Sequence, residues 1–207
     1  MDVNLISLYY FYSKIALAGE AFDLGLSVKW SSTNLGATSP SDYGDYFAWG
    51  ETSPKDNYSQ NTYEFYNGSS NTISKYNSSV DNKSAFKDYG YEDDAARQAL
   101  GGKWRIPTDA EWTELRTECT WTWTIQNGME GRLVTGKNVN SIFLPAAGSR
   151  VHIAGNNFGK RGYYWSSSLS MSYGPGFAWN VEFYPSGMGR GIKDRFDWLS
   201  IRPVMDY

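Results

Sequence analysis

Side chains that support acid–base, nucleophilic or metal chemistry are scarce in this chain. Its 207 residues include one cysteine, Cys119, and one histidine, His152. A single thiol forms neither an intramolecular disulfide nor a thiolate metal cluster, and a single imidazole argues against histidine-based zinc chemistry or a serine–histidine–aspartate triad. The acidic residues 92–94 stand where a helix N-terminus favours negative charge. We therefore expect a non-enzymatic protein without a metal or cofactor.

Side chains suited to molecular recognition are abundant instead. The sequence contains 9 Trp, 16 Tyr, 10 Phe and 21 Gly, with many Asn and Ser. Tyr and Trp offer a large amphipathic contact area, and Ser, Gly and Asn add adaptable hydrogen bonds. A β-rich domain with aromatic residues in its strands has the same composition, so both interpretations stay open at this point. The formal net charge of −3 indicates no nucleic-acid partner.

Two helices are predicted from the residues at their ends. Asp94 before residues 95–100 and Gly101 after them match the preferences of helix termini. Thr108 and Glu111 form a capping box, which predicts a second helix. Residues 52–92 are rich in Ser, Asn, Tyr, Gly and Lys without periodicity, and this is typical of long surface loops.

Short strands account for most of the remaining pattern. Residues 22–30 alternate well enough for a strand. Residues 121–125 and 132–135 flank an Asn127-Gly128 turn, and with residues 141–146 they predict a hairpin and its continuation. Few helices, many short strands and long loops together indicate an α+β fold.

The last third of the chain has the clearest division between inward and outward side chains. Residues 179–184 have a period of two, so Asn180, Glu182 and Tyr184 are predicted to point outward. The packed scaffold is predicted to consist of Trp104, Trp112, Trp121, Trp165, Trp179, Val181 and Phe183. Residues 199–204 read as a final short strand, in which Pro203 requires an edge or terminal position.

One domain is expected over residues 21–207, because domains typically contain about 100–200 residues. Residues 1–20 are predicted to form a leading strand or an oligomerisation segment, and their apolar composition is compatible with a trimer. Asp2 and Lys14 interrupt the pattern of a signal peptide, so export through this segment has weak support. No run reaches the roughly 18 apolar residues of a membrane span, and direct membrane insertion is not expected.

Six ordered blocks of the sequence resemble a known family. The blocks are FDLGLSVKW (22–30), DYFAWGE (45–51), WRIPT (104–108), IFLPAAG (142–148), YWSSS (164–168) and SIRPV (200–204). Together they resemble the major paralogous domain proteins of Fibrobacter and gut Bacteroidetes, which are relatives of formylglycine-generating enzymes. The resemblance extends over residues 22–204.

This resemblance implies a C-type-lectin-like fold of the formylglycine-generating-enzyme type, with two helices, several short antiparallel strands and long loops. The closing blocks are also similar to variable proteins of diversity-generating retroelements from phages and gut bacteria. In those proteins a C-terminal variable region forms the receptor-binding surface, which here corresponds to residues 164–204. Trp198 stands where the family usually has glycine. Its indole is expected to face solvent or a ligand, the alternative being that it fills a gap in the core.

The chemistry of the related families depends on residues that this chain lacks. Calcium-dependent lectins use a Glu-Pro-Asn or Gln-Pro-Asp tripeptide and a Trp-Asn-Asp strand. Neither tripeptide occurs here, and Trp179-Asn180 is followed by Val181. Formylglycine-generating enzymes use a cysteine pair, whereas Cys119 is alone and is predicted to be a small buried hydrophobic residue. Neither calcium-dependent sugar binding nor that enzyme activity is expected.

The expected ligand-binding residues combine aromatic anchors with both charges, as interface hot spots do. They are Tyr173, Phe177, Asn180, Glu182, Tyr184, Arg190, Lys193, Arg195, Asp197 and Trp198. The expected function is a binding domain that recognises a protein or glycan receptor outside the cell, displayed on a phage virion or a bacterial surface. The alternatives are an invariant adhesin or structural module of the same fold, and a degenerate enzyme.

Overall fold

The computed structural model describes residues 19–69, 72–77, 81, 85–151 and 154–207. These residues form an α+β fold in which antiparallel strands predominate, as the sequence predicts. The predicted N-terminal segment lies outside the described residues, except for Gly19 and Glu20. Over the described part of the chain, no helix has the length and apolar character needed to cross a membrane.

Both predicted helices are confirmed, together with their end residues. Helix α1 (Ala95–Leu100) begins after Asp94, whose carboxylate accepts a hydrogen bond from the backbone N–H of Arg97, and ends at Gly101 with φ of +69°. Helix α2 (Asp109–Glu118) begins after Thr108 with the reciprocal capping box to Glu111. These local hydrogen bonds satisfy N–H groups that a helix start otherwise leaves unpaired, so the helices begin where the sequence indicates.

Twelve short strands occur in the described residues, and all pairs between them are antiparallel. They are β1 (Ala21–Phe22), β2 (Lys29–Ser31), β3 (Trp104–Arg105), β4 (Thr120–Gln126), β5 (Met129–Thr135), β6 (Ser141–Pro145), β7 (Ser149–Val151), β8 (Ala154–Asn156), β9 (Gly162–Leu169), β10 (Phe177–Tyr184), β11 (Gly187–Asp194) and β12 (Val204–Met205). The sheet orders are β1-β2-β12-β3, β11-β10-β9, β4-β5-β6 and β7-β8.

The predicted hairpin and its continuation are confirmed as β4, β5 and β6. Asn127 and Gly128 connect β4 to β5 with φ of 51° and 80°. Positive φ at both turn residues gives the twist that matches two antiparallel strands, and Asn-Gly tolerates it well.

The predicted strand over residues 22–30 is wrong in its middle part. Only its two ends are strand residues, in β1 and β2. The carboxylate of Asp23 accepts a hydrogen bond of 2.7 Å from the N–H of Gly25, and Gly25 has φ of +76°. This turn breaks the strand, although Leu24 and Leu26 are still buried in the core.

The predicted final strand is also shorter than expected. Leu199 and Ser200 make single bridges, to Phe47 and Tyr164, and the regular strand starts only at Val204. Pro203 therefore precedes the strand, where its missing N–H costs no ladder hydrogen bond.

Residues 52–92 are not simply surface loops. Their described part contains two 3₁₀ turns, Gln60–Thr62 and Phe86–Tyr89, and no helix or strand. However, it buries a group of large apolar side chains: Tyr58, Tyr63, Phe65, Ile73, Tyr76 and Phe86. Aromatic burial supplies the packing energy that regular secondary structure does not supply in this segment.

The β9–β11 sheet is packed on both faces, and we name the faces by what covers them. On the helix face, Tyr164 pairs with Val181, and both pack with Phe183 against Trp112 and Leu115 of α2. Residues paired across strands project to the same side, so the register assigns the remaining side chains to one face or the other.

The opposite face, called the loop face, is covered by chain segments that are not helices. Leu169 pairs with Ala178, and Trp165 packs with Phe47 and Trp49 in the second core cluster. The sheet is therefore a central layer of the domain, and only its margins reach solvent.

Arg202 of the SIRPV block lies at the centre of the tertiary structure. Its side chain is fully buried. Its guanidinium donates to Asn34 Oδ1 (3.0 Å), to the Ser31 carbonyl (3.0 Å) and to the Phe143 carbonyl (2.8 Å). Burial lowers the pKa of Arg202 to about 10. Because these three acceptors are neutral, hydrogen bonds compensate the charge, and they join Arg202 to two distant parts of the chain, residues 31–34 and β6.

We expect Arg202→Lys to destabilise the domain strongly. Lysine keeps the charge, but it lacks the planar fork that reaches three acceptors at once. The free energy of unfolding should fall by about 3 kcal/mol, which lowers Tm by about 6–12 °C for a chain of this size. Thermal melts monitored by near-UV circular dichroism measure this change. Arg116→Lys on α2 is the matched control. Equal Tm values for the two variants contradict the central structural role of Arg202.

Candidate functional site

Side chains at one end of the helix face are left uncovered. Trp179 shares this face with Val181 and pairs with Ile192 of β11. Unlike Val181, it belongs to none of the core clusters that the described residues form. Trp179 is left uncovered because α2, which packs over Val181 and Phe183, begins only at Asp109 and does not extend over Trp179.

This uncovered end forms a mixed aromatic and cationic surface. We call it the aromatic patch, and it consists of Tyr173, Phe177, Trp179, Arg190 and Ile192. Tyr173 is 59% exposed and meets Trp179 edge-on, with ring centroids 6.4 Å apart. The Arg190 guanidinium lies 3.2 Å from the centroid of the Trp179 ring. Stacked aromatic and guanidinium groups of this kind favour each other by about 0.5–2 kcal/mol.

The position of Arg190 is fixed by helix α2. Its Nε donates to Asp109 Oδ1 over 2.8 Å, and its Nη2 lies 2.7 Å from Asp109 Oδ2. The pair is bidentate, and Asp109 is the first residue of α2. A bidentate geometry restrains the guanidinium, so the patch presents a largely preorganised surface.

The loop face has an uncovered margin of its own, next to the edge strand β11. Glu182 and Tyr184 of β10 are half-buried there, and Lys193 of β11 lies alongside. The Arg161 guanidinium is 4.9 Å from the Tyr184 ring centroid, and Lys193 Nζ is 5.2 Å from the Tyr163 ring centroid. We call this margin the glycine margin, because β11 contributes Gly187, Gly189 and Gly191 to it besides Lys193.

The structure divides the ten predicted binding residues into separate groups. Three belong to the aromatic patch: Tyr173, Phe177 and Arg190. Three line the glycine margin: Glu182, Tyr184 and Lys193. Asp197 is half-buried and belongs to neither group, although its Oδ2 lies 4.0 Å from Lys193 Nζ. Asn180, Arg195 and Trp198 are buried, so the expectation that these three face solvent is wrong.

Arg195 is buried because aromatic rings enclose it. Its guanidinium carbon lies 4.5 Å from the Trp49 ring centroid and 5.5 Å from that of Tyr63. Nη1 donates to the carbonyls of Lys75 (3.0 Å) and Pro175 (3.1 Å). Burial lowers the pKa of Arg195. The residue ties the 45–92 region to the C-terminal third and contributes no displayed surface.

Trp198 is buried because the 46–58 segment packs over it. It is 1% exposed and belongs to the third core cluster with Tyr46 and Tyr58. Its backbone pairs with Arg150. Trp198 therefore fills a gap in the core, which is the alternative given for this position in the sequence analysis.

Two tryptophans of the predicted scaffold are only partly buried. Trp112, Trp121 and Trp165 are buried as expected, whereas Trp104 and Trp179 are half-exposed. The period of two places Trp179 correctly on the face of Val181 and Phe183, but it carries no information about where α2 ends. Cys119 is half-buried rather than buried, and its partial burial raises the pKa of its thiol.

We expect alanine substitutions of two tryptophans in this sheet, Trp165 and Trp179, to lower the free energy of unfolding by very different amounts. Trp165→Ala empties a buried site and should lower the free energy of unfolding by about 3–5 kcal/mol. Trp179→Ala removes mainly the stacking with Arg190 and should cost about 1 kcal/mol. Urea unfolding of both variants measures the difference. Losses of similar size would place Trp179 in the core.

Asp197 gives a prediction about pH. Burial raises its pKa to about 6, against the opposing influence of Lys193, while an unfolded aspartate has a pKa of about 3.9. Between these two values the folded state binds more protons than the unfolded state, so stability rises as the pH falls. Relative to Asp197→Asn, the wild type should gain about 1–2 kcal/mol between about pH 7 and pH 4.5 in urea unfolding.

The buried carboxyl of Asp94, whose pKa burial also raises to about 6, is present in both proteins and cancels from this comparison. A stability difference that stays constant with pH, or that shrinks as the pH falls, contradicts the burial of Asp197.

The two uncovered margins of the β9–β11 sheet carry groups that suit noncovalent contacts. They offer aromatic surface, one bidentate ion pair and half-buried polar groups. Over the described residues, no group of three or more His, Cys, Asp or Glu is arranged to hold a metal ion. Comparisons with protein-family models, with curated proteins and with solved structures find no match to this chain.

Proposed function

We propose that this chain is a non-enzymatic binding domain that presents the aromatic patch to an extracellular receptor. The proposal includes a C-type-lectin-like scaffold of the formylglycine-generating-enzyme type and display on a phage virion or a bacterial surface. It also includes the similarity of residues 164–204 to the variable region of retroelement-diversified proteins. A protein receptor suits the patch best, because Trp, Tyr and Arg are the residues enriched in protein interface hot spots.

The single observation that carries this proposal is the exposure of the aromatic patch on an otherwise well-covered sheet. Tyr173 is exposed, and Phe177, Trp179 and Ile192 are only partly buried. The remaining contact with water forgoes hydrophobic stabilisation that full burial would provide. Contiguous apolar surface of this kind on a folded domain is typical of an interaction site. Arg190 stacks on Trp179 within the same surface, and it adds hydrogen-bond donors.

The surroundings of the patch also favour a binding role. Phe177, Trp179, Arg190 and Ile192 stand on paired strands, and only Tyr173 lies in a short 3₁₀ turn, Met171–Tyr173. Side chains on paired strands lose little freedom when a partner docks, which lowers the entropic cost of binding. A scaffold held by Arg202 and Arg195 can tolerate changes in the patch without loss of the fold.

The burial pattern narrows the displayed part of residues 164–204. Residues 164–166 and 198–204 are buried. We therefore expect sequence variation, where it exists, to concentrate in residues 172–177 and 187–194.

Binding of the fluorescently labelled 207-residue chain to whole gut-bacterial cells tests the proposed function, with and without EDTA. The double variant Tyr173→Ala/Trp179→Ala should weaken binding at least about tenfold, because two anchors of one hot spot are removed. The wild type should bind equally well with EDTA.

Tyr207→Ala is the matched control, since Tyr207 is 56% exposed but lies away from the patch at the C-terminus. Its binding should equal that of the wild type. Wild-type binding that survives in the double variant, or that EDTA abolishes, refutes the proposed role of the patch. Circular dichroism melts of all variants show that a loss of binding does not reflect unfolding.

A further inference from the structure

Gly189 occupies a position in β11 where packing and backbone geometry do not require glycine. A Cβ atom at Gly187 would lie 2.9 Å from Tyr184 Oη, and one at Gly191 would lie 2.8 Å from Asn180 Oδ1. A Cβ atom at Gly189 would meet nothing within 4 Å, and the φ of Gly189 is not in the left-handed region. Glycine inside a strand costs about 0.5–1 kcal/mol relative to alanine. Such a glycine often marks a place where another molecule approaches the backbone.

Asn180 provides an independent sign of a ligand at the same place. The residue is 2% exposed, and its Nδ2 donates to the Val181 carbonyl over 3.2 Å. Its Oδ1 is buried beside Gly191 without a hydrogen-bond partner. A buried acceptor without a donor costs about 1–3 kcal/mol, so a ligand hydroxyl that donates to Oδ1 would recover this energy.

The remaining side chains give this position the outline of a shallow notch. Glu182 pairs directly with Gly189, and its carboxylate makes no ion pair or side-chain hydrogen bond with the described part of the chain. The Tyr184 side chain leans over Gly187 and closes one end of the notch, while Asn180 closes the other end next to Gly191.

Lys193 lies across the inner side of the notch. It pairs with Ala178, yet its Nζ reaches the ring of Tyr163, which pairs with Glu182. The side chain therefore crosses β10 between Ala178 and Glu182, at the position of Asn180. Its Nζ also lies 4.0 Å from Asp197 Oδ2. A pair at this distance contributes little, so the several rotatable bonds of the lysine side chain let it move aside at low energetic cost.

We propose that this notch binds one saccharide residue without calcium. Sugar hydroxyls donate to Asn180 Oδ1 and to the Glu182 carboxylate, the Lys193 ammonium donates to a ring or hydroxyl oxygen, and the sugar C–H face packs on Tyr184. The bare backbone at Gly189 provides the floor. Tyr184 and Asn180 limit the notch to the stretch between Gly187 and Gly191, about 13 Å along the strand. Tyr184 and Asn180 occupy the two ends of this stretch, and the open space is centred on Gly189. That space suits a single ring better than an extended peptide running along β11.

The saccharide site is distinct from the aromatic patch, since the two lie on opposite faces of the sheet. It therefore goes beyond the proposed receptor-binding function. Variants of one face leave the other intact, so the two proposals are tested separately.

Saturation-transfer NMR on the 207-residue chain in EDTA tests the saccharide site. The probes are the methyl glycosides of glucose, galactose, mannose, fucose and N-acetylglucosamine. We expect transfer to at least one glycoside, and at least about a tenfold loss of its affinity in Gly189→Val and in Asn180→Leu, since each removes space or a hydrogen bond. Gly189→Val should keep or raise Tm, because valine favours strands and has open space there.

Two controls make the result specific. Met188→Val changes the neighbouring residue on the helix face and should leave glycoside binding unchanged, as should Trp179→Ala. The absence of transfer to every glycoside overturns the proposal, and so does binding that persists in Gly189→Val. Binding of peptides from a peptide array that Gly189→Val abolishes, without glycoside binding, assigns the notch to strand addition instead and equally overturns it.

Discussion

The buried guanidinium of Arg202 is the interaction on which the rest of the structure depends. Removing a charge from water is costly unless hydrogen bonds or other polar contacts compensate it. Those bonds reach Ser31 and Asn34 near the N-terminus and Phe143 of β6, both far from Arg202 in the sequence. These hydrogen bonds therefore hold the end of β2, the segment after it and β6 against the C-terminal segment. Ser200, two residues before Arg202, exchanges backbone hydrogen bonds with β9, so the same segment also positions the β9–β11 sheet.

Both candidate binding surfaces arise because a central sheet is covered incompletely. Helix α2 covers the helix face only as far as its first residue, Asp109, and leaves the aromatic patch beyond it. On the loop face, packed loops cover Trp165 and Ala178 but stop short of β11. A rigid layer with two open margins gives recognition residues a fixed geometry, while the stability of the domain comes from the covered parts.

Unpaired polar atoms occur at several buried positions, and their surroundings separate structural roles from binding roles. Arg195 also has guanidinium nitrogens without hydrogen-bond partners. However, rings surround it on several sides and stabilise its charge by cation–π contact. Asn180 has no such compensation and lies next to open space at Gly189. A buried polar atom that has no hydrogen-bond partner and no other compensation most often marks a functional site.

The sequence by itself determined the features that depend on neighbouring residues. Short-range hydrogen bonds and backbone preferences set the helix starts at Asp94 and Thr108 and the Asn127-Gly128 turn. The local sequence was therefore sufficient to predict them. The face of each β10 side chain also follows from the period of two. Only the tertiary structure decided which side chains are covered. Burial depends on segments distant in sequence, and this is why Trp198 is in the core while Trp179 is at the surface.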